Sequence, residues 1–356
     1  ECVPAAEPQE SIRNMMEVNR VELHPPYVIL LGDVQDAMYA KTGLGIVQWR
    51  PDRVAGQIRF PGCPVDLGVP DMSVAEASAA GVGSLIVGVA PVGGVIPERW
   101  WQVIEAAAEA GLDIVCGLHL RLADHAGVIE AARRSGARLI DVRVPPPDLP
   151  VGSGRRRSGR RVLTVGTDCA VGKKYSALAL EQALRESGRK ATFRATGQTG
   201  IMIAGAGIPI DAVVADFISG AAELISPDND ENHWDVIEGQ GSLFHPGYAG
   251  VSLGLLHGSQ PDAIVVCHAA GREAIGAWPD FPTPPIPECI ERNLLEGRTT
   301  NPEIRCVGVS VNTSGLPPED RADYLDRLRE QTGLPCVDPL ADGCADIVDY
   351  LDLSFP

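Results

Sequence analysis

The sequence predicts an α/β protein of two domains, each built on a parallel sheet covered by helices. Short apolar runs alternate with helical stretches along most of the chain, the pattern of strand–helix–strand units. A Pro-rich run at 145–150, followed by a Gly/Ser/Arg segment at 152–161, divides that pattern in two. At 356 residues and 45% hydrophobic content there is length and apolar mass for two cores. The expected division is an N-terminal arm over 1–24, a first domain over 25–149, a linker over 150–161 and a second domain over 162–356.

The arm is polar and proline-bearing, with one short helix expected at 12–18. In the first domain, apolar runs predict strands at 28–31, 54–58, 84–89, 113–116 and 139–142. Helices are expected at 74–80, at 97–110 with Pro97 at its first position and Gly111 after it, and at 123–135 closed by Gly136. Gly32-Asp33 after the first strand is not a GxGxxG fingerprint, so dinucleotide binding has little support. The turn Pro91-Val92-Gly93-Gly94 lies where α/β sheets take ligands, and a plain tight turn explains it equally well. Five arginines (Arg155, Arg156, Arg157, Arg160, Arg161) crowd the linker, where a solvated segment is expected and a contact to a ligand phosphate is the alternative.

The second domain opens with an apolar strand at 162–165 that feeds Gly166-Thr167-Asp168-Cys169-Ala170-Val171-Gly172-Lys173-Lys174 and then an Ala/Leu-rich helix. Such a loop turns successive backbone N–H groups, a helix N-terminus and a lysine toward one point, which suits a phosphate. It departs from the usual pattern at two positions: Thr167 holds the first glycine position, and Lys174 replaces the hydroxyl residue. That hydroxyl ordinarily ligates Mg²⁺, so Mg-ATP chemistry loses support while anion binding keeps it.

A strand at 191–195 ends near Arg194 and leads into Thr196-Gly197-Gln198-Thr199-Gly200, expected to be a loop for a polar substrate. A helix over 211–224 follows, and then a strand at 235–237 delivers Glu238 into Gly239-Gln240-Gly241-Ser242. A carboxylate at the C-terminal end of a strand, facing a phosphate loop, is placed for acid/base or metal work. Of His245, His257 and His268, the first ranks highest because it follows that loop directly. Strands at 263–267 and 306–311, a Pro-rich lid or subunit-packing loop at 279–287 and a helix at 325–330 complete the domain.

The net charge of −17 argues against a nucleic-acid surface. Nine cysteines with no CxxC pair and no zinc-like spacing point to a reducing cytoplasm. No run of 18 apolar residues predicts a membrane span.

Two short motifs, Gly166 to Lys173 and Val236-Ile237-Glu238-Gly239-Gln240-Gly241, are similar to the phosphate and glutamate loops of dethiobiotin synthetase, an ATP-dependent P-loop enzyme. A broader set resembles the once-uncharacterised P-loop family that includes D-glutamate N-acetyltransferase. It comprises Val89 to Gly94, Gly166 to Lys173, Phe193 to Gly200, His233 to Leu243, Gly254 to Asp262 and Asn312 to Leu316.

The resemblance implies a Rossmann-like N-terminal domain, a P-loop NTPase-like α/β sandwich at the C-terminus, and acetyl transfer from acetyl-CoA to the α-amino group of D-glutamate or a related amino acid. On that reading no metal is required, and Gly166, Thr167, Cys169, Ala170, Val171, Gly172, Lys173 and Lys174 hold the CoA phosphates. Arg194, Thr196, Gln198, Thr199, Ser242 and Arg272 are the candidates for the amino acid, whose two carboxylates need cations and donors. Glu238 is the first choice for the base, with His245 and Asp168 behind it. An acetyl-cysteine at Cys169 is a different route, and direct transfer is the one expected. The competing readings are an ATP/Mg-dependent carboxylate-activating enzyme with Glu238 and Asp168 on Mg²⁺, and a nucleotide-binding protein without turnover. The expected partners are a small-molecule amino acid and further copies of the chain, with neither nucleic acid nor membrane.

Overall fold

The computed structural model describes residues 20–90 and 96–355. The helix expected at 12–18 and the turn at 91–94 lie outside them, as does most of the arm.

The first sheet comprises β1 (Tyr27–Gly32), β2 (Val54–Arg59), β3 (Ser84–Val87), β4 (Asp113–Cys116) and β5 (Leu139–Asp141). The strands are all parallel, in the order β2-β1-β3-β4-β5. Every residue of β1, β3 and β4 is buried, which is why these strands read as unbroken apolar runs. The expected helices form at Val74–Ala79, Glu98–Glu109 and Ala126–Ser135, with Pro97 capping the second from just outside it. One helix, Lys41–Trp49, was not expected, because Gly43 and Gly45 lower its intrinsic propensity. It forms through packing. A Cβ at Gly43 would stand 3.1 Å from Ile29 Cγ2, so the glycine lets the helix lie close on β1.

The second sheet comprises β6 (Arg160–Gly166), β7 (Lys190–Arg194), β8 (His233–Ile237), β9 (Ala263–Ala269), β12 (Arg305–Asn312) and β13 (Cys336–Val337), after the antiparallel pair β10 (Ala274–Ile275) and β11 (Trp278–Pro282) is set aside. Its order is β13-β12-β9-β6-β8-β7, parallel throughout. The first strand of this sheet, β6, thus lies between β8 and β9. Successive strands are added on opposite sides of it, and the crevice beyond the carboxyl ends at such a switch point is where α/β sheets take ligands.

The Pro-rich stretch at 279–287 is not a free loop: it holds β11, and Pro285 caps the helix Ile286–Gly297. The expected helix over 211–224 is shorter, at Ile218–Ile225. Helices at Ala249–Ser259 and Ala345–Ser354 were not anticipated.

The chain divides into two compact units, and the expected boundary needs one correction. Gln198–Pro209 belongs with Arg20–Pro145, whereas Pro146–Gly197 and the chain from Ile210 onward form the other unit. The excursion has a packing cause. The helix Gln198–Ala204 buries Ile201, Met202 and Ile203; the Thr199 hydroxyl meets that of Thr42 at 3.0 Å, and Arg50 Nε donates to the Ile203 carbonyl at 2.9 Å.

The linker is corrected as well. Arg157 and Arg161 are 6% and 3% exposed, not solvated. Arg157 donates to the carbonyls of Gly258 and Ser259, and Arg161 to the Ser226 hydroxyl and the Ser158 carbonyl. Arg155 and Arg156 face solvent beside Asp228 and Asp262, and Arg160 is half-buried with Nη1 donating to the Phe355 carbonyl at 2.9 Å. The segment is a strap bound to the second unit by buried guanidinium groups, each of which offers several donors to fixed carbonyls.

Candidate active site

Three loops leave the carboxyl ends of β6, β8 and β9, and the strand order makes them neighbours. The loop after β6 is tightly wound. A Cβ at Gly166 would lie 3.1 Å from the Cys267 carbonyl oxygen and 2.9 Å from Val171 Cγ2, and Gly172 has φ +104°, so both positions need glycine. Gly172 ends the loop and opens the helix Lys173–Glu186, whose N-terminus carries no side-chain cap. Its first N–H groups are therefore available to an anion. Lys173 is buried and its Nζ donates to the Asp168 carbonyl at 2.7 Å; burial pulls its pKa down. Lys174 lies with its ammonium over the Tyr175 ring at 4.3 Å. Val171 is buried and Ala170 exposed, so the loop shows backbone rather than bulky side chains at its tip.

Thr167 is buried. Its N–H donates to the Cys267 carbonyl, and its hydroxyl meets His268 Nδ1 at 3.1 Å, with His268 Nε2 in turn 3.1 Å from the Tyr324 hydroxyl. Burial, with Arg272 adding to it, pushes the His268 imidazole down to about 4, so the ring is a neutral spacer at physiological pH. His257 bonds the Glu296 carbonyl away from this centre.

Asp168 is the hub of the loop. Its carboxylate is fully buried and accepts the N–H of Cys169 on one oxygen; on the other it accepts Arg272 Nη1 at 2.8 Å and the Gly276 N–H at 2.8 Å. Arg272 also donates to the Cys169 carbonyl at 2.8 Å. The segment after β9 is thereby clamped onto the phosphate loop, and Arg272, expected to meet a substrate carboxylate, is committed to Asp168.

The clamp carries β10 and β11 with it. Trp278 meets His245 edge-on at 4.5 Å, and His245 stacks on Tyr248 at 4.4 Å. His245 Nδ1 accepts the Gly247 N–H at 3.1 Å, which places the proton of the neutral ring on Nε2. Burial depresses the His245 pKa, with Lys173 acting the same way and Asp168 opposing. In this geometry the ring offers a donor rather than the base that its sequence position had suggested.

Glu238 follows β8 and is buried. One carboxylate oxygen accepts the N–H groups of Thr196 and Gly197, both at 3.0 Å, while the Thr196 hydroxyl donates to the Glu238 carbonyl at 2.7 Å. Burial pushes its carboxyl up to about 7, against the pull of those N–H groups and of Lys174. The next residue, Gly239, donates to Thr164 Oγ1 on β6, and a Cβ there would lie 3.0 Å from Lys173 Cδ, so the glutamate loop lies directly against the phosphate loop. Ser242 is buried and caps the N–H of Phe244.

The remaining candidates fall elsewhere. Arg194 Nε donates to the buried Asp235 at 2.8 Å, which also accepts the Ser226 hydroxyl. Arg194→Lys, which has one point charge where this site uses an oriented guanidinium, is expected to cost about 1–2 kcal/mol of stability with little change in substrate preference. A thermal melt with parallel D-glutamate and D-alanine kinetics checks this; a switch in preference at unchanged stability would return Arg194 to the substrate. Gln198 and Thr199 open the helix Gln198–Ala204 in the other compact unit, where Gln198 lies against Gly117 and Thr199 against Thr42. Glycines and hydroxyls suggested a loop there, and the apolar Ile201-Met202-Ile203 run decided for a helix.

Among the described residues, ligand-type atoms of Asp168, Cys169 and His245 come within 4.8 Å of one another. As a cation site this cluster is poor: Asp168 already accepts three N–H groups, and Lys173 and Arg272 bring two positive charges beside it. Sequence reasoning missed Gly276, Trp278 and Tyr248 altogether. Gly276 and Asp168 are 108 residues apart, and a backbone N–H leaves no mark in a sequence.

Comparison with known proteins agrees with this architecture. A Rossmann-like domain of unknown function, DUF1611_N, matches residues 59–145, and a P-loop domain of unknown function, DUF1611_C, matches residues 150–348. A D-glutamate N-acetyltransferase from Tritonibacter scottomollicae is 46% identical over 92% of this chain and 99% of its own. One from a Pseudoalteromonas species is 45% identical over 93% and 100%. The crystal structure of a DUF1611 family protein from Anabaena variabilis superimposes with a TM-score of 0.82 at 34% identity, covering 92% of this chain and 99% of that one. With both domain models in sequence order and relatives matched along nearly their whole length, the chain belongs to the DUF1611 family, a Rossmann-like domain followed by a P-loop domain.

Proposed function

We propose that this protein transfers the acetyl group of acetyl-CoA to the α-amino group of D-glutamate, giving N-acetyl-D-glutamate and CoA. The observation that carries the reading is identity of 46% and 45%, over nearly the full chain, to two proteins named for that activity. The site is chemically suited to it. CoA brings a pyrophosphate and a 3′-phosphate, for which an uncapped helix N-terminus and Lys173 are appropriate donors. Lys174 stands where a magnesium-ligating hydroxyl would be needed for phosphoryl transfer, and acetyl transfer has no such step.

The α-ammonium must lose a proton to become a nucleophile, and Glu238, with its carboxyl near 7, matches that task at neutral pH. Arg194 and Arg272 are better understood as scaffolding for this site than as carboxylate receptors, given their carboxylate partners Asp235 and Asp168. A reducing compartment such as the cytoplasm suits the eight described cysteines, none of which is in a disulfide. No helix among the described residues is long and apolar enough to cross a membrane.

The test is release of free thiol from acetyl-CoA on addition of D-glutamate, alongside ADP formation from Mg-ATP under the same conditions. Thiol release dependent on D-glutamate supports the reading, and ADP without thiol overturns it. In that assay Lys173→Ala is expected to raise the KM for acetyl-CoA about 10- to 100-fold, with the KM for the amine little changed, because the lost ammonium pairs with phosphate. An unchanged acetyl-CoA KM would remove the phosphate role of this loop.

A further inference from the structure

We propose that the open corner formed by the rings of Tyr248 and Trp278 is the subsite for the adenine of CoA, with the unspent N–H groups of Arg272 beside it for the 3′-phosphate. The inference rests on the acetyl-transfer reading and deepens it, giving the nucleotide end of the donor a place of its own.

The strand order decides which side of the phosphate loop serves which end of CoA. Phosphates held on the loop after β6 stand between the adenosine and the arm that ends in the acetyl thioester. Glu238, the base for the amine, lies on the β8 side of that loop, against the Thr196–Gly197 turn that follows β7. The acetyl-bearing arm therefore runs to that side. The adenosine is left with the other, where β9 is the neighbouring strand and the segment after it carries Arg272, Gly276 and Trp278.

Three rings stand there, and one of them is open. A His245 ring nitrogen comes within 4.8 Å of ligand-type atoms of Asp168 and Cys169, so the cluster begins at the phosphate loop itself. His245 stacks on Tyr248 with 4.4 Å between centroids and 28° between planes. Trp278 stands across both, at 73° to His245 and 77° to Tyr248. Tyr248 is nevertheless 50% exposed. What remains open is the face turned away from His245, with half-buried Trp278 nearly perpendicular beside it. A planar purine stacks on such a face, whereas the thin, amide-bearing pantetheine arm gains little from it.

Anchoring favours the same assignment. The Gly276 N–H donates to Asp168 at 2.8 Å, two residues before Trp278, and so fixes the corner relative to the phosphate loop. Arg272 spends only Nη1 on that clamp, at Asp168 and the Cys169 carbonyl. Its Nη2 and Nε make no hydrogen bond among the described residues, and its side chain is 29% exposed. The donors left over suit a phosphate oxygen. In CoA the 3′-phosphate sits on the ribose that joins adenine to pyrophosphate, and Arg272 holds the matching place between loop and corner.

Adenosine 3′,5′-bisphosphate, the nucleotide end of CoA without its arm, tests the subsite on the parent protein and needs no turnover. It should bind, compete with acetyl-CoA and quench tryptophan emission, with the quench lost in Trp278→Phe. Adenosine 5′-phosphate should bind about tenfold more weakly, and equal affinity would overturn the part given to Arg272. Tyr248→Ala should weaken the bisphosphate about 10- to 100-fold, while Tyr248→Phe, which keeps the ring, should bind it nearly as the parent does. Two acetyl donors supply a readout that general damage to the fold does not move: acetyl-CoA, and acetyl-4′-phosphopantetheine, which has the same thioester arm and no adenosine. In Tyr248→Ala the advantage of acetyl-CoA, as a ratio of kcat/KM values, should shrink by the same factor, because a loss of structure lowers both donors alike. An unchanged ratio, or a bisphosphate that fails to bind or ignores Tyr248→Ala, overturns the subsite and leaves the acetyltransferase reading standing as long as D-glutamate releases thiol. No thiol release, with bisphosphate binding still dependent on Tyr248, sinks that reading and keeps the subsite.

Discussion

Glu238→Gln is expected to lower kcat about a hundred- to ten-thousandfold at neutral pH, and in the same protein to raise stability toward unfolding at about pH 8. Both effects have one cause. The carboxyl is buried beneath the Thr196–Gly197 turn and its pKa is pushed up from 4.5 to about 7. Below 4.5 both the folded and the unfolded chain hold the proton, so the ionisation costs nothing. Between 4.5 and 7 the folded state keeps a proton that the unfolded state has released, and stability falls as pH rises. Above 7 the full cost is present, on the order of 3 to 3.5 kcal/mol for a shift of this size.

Glutamine retains an acceptor for both N–H groups and has no charge to bury, so the variant should match the parent at about pH 4 and exceed it at about pH 8. For the parent, kcat/KM should climb as pH crosses about 7 and then level, the base being active when ionised. Denaturant titrations at the two pH values, with a pH–rate profile, measure all of this. Equal stability at both would mean an ordinary carboxylate, and near-full kcat from about pH 6 to about pH 9 would remove Glu238 as the base.

The second large effect is expected at Asp168. Asp168→Asn should destabilise the protein by about 2–4 kcal/mol even though the side chain keeps its size. Both carboxylate oxygens are in use, one on the Cys169 N–H and the other on Arg272 and the Gly276 N–H. An amide has one acceptor, so its NH₂ must face at least one donor in a fully buried place. Arg272 is 29% exposed and can recover part of its loss from water, which keeps the cost below that of a fully buried broken pair. The local signature should be faster amide exchange at Gly276 and across β10 and β11, whose tie to the phosphate loop is this carboxylate. A stability change under about 0.5 kcal/mol, with exchange unchanged there, would show that the clamp contributes nothing.

Much of this protein was determined by local sequence alone. The fully buried strands could be read from apolar runs, since a strand covered on both faces has no polar alternation to obscure it. The phosphate loop and Glu238 were legible for a similar reason: glycines at 166 and 172 and a strand-end carboxylate are short-range consequences of backbone geometry. Side-chain type at Lys174 marked this loop as lacking the hydroxyl that ordinarily ligates magnesium. Tertiary structure alone decided who is paired with whom. For Arg194 the sequence left a substrate carboxylate and a structural partner both open, and Arg272 was a candidate for the substrate; they are held by Asp235 and Asp168, while Arg157 and Arg161 looked like linker and are buried. The helix at 198–204 crossed into the other compact unit because its apolar face is buried there, a fact of packing that its glycine and hydroxyl residues conceal. The Asp168, Cys169 and His245 cluster needed the same information. Its members come from loops after different strands, and only the order of β9, β6 and β8 in the sheet brings them within reach.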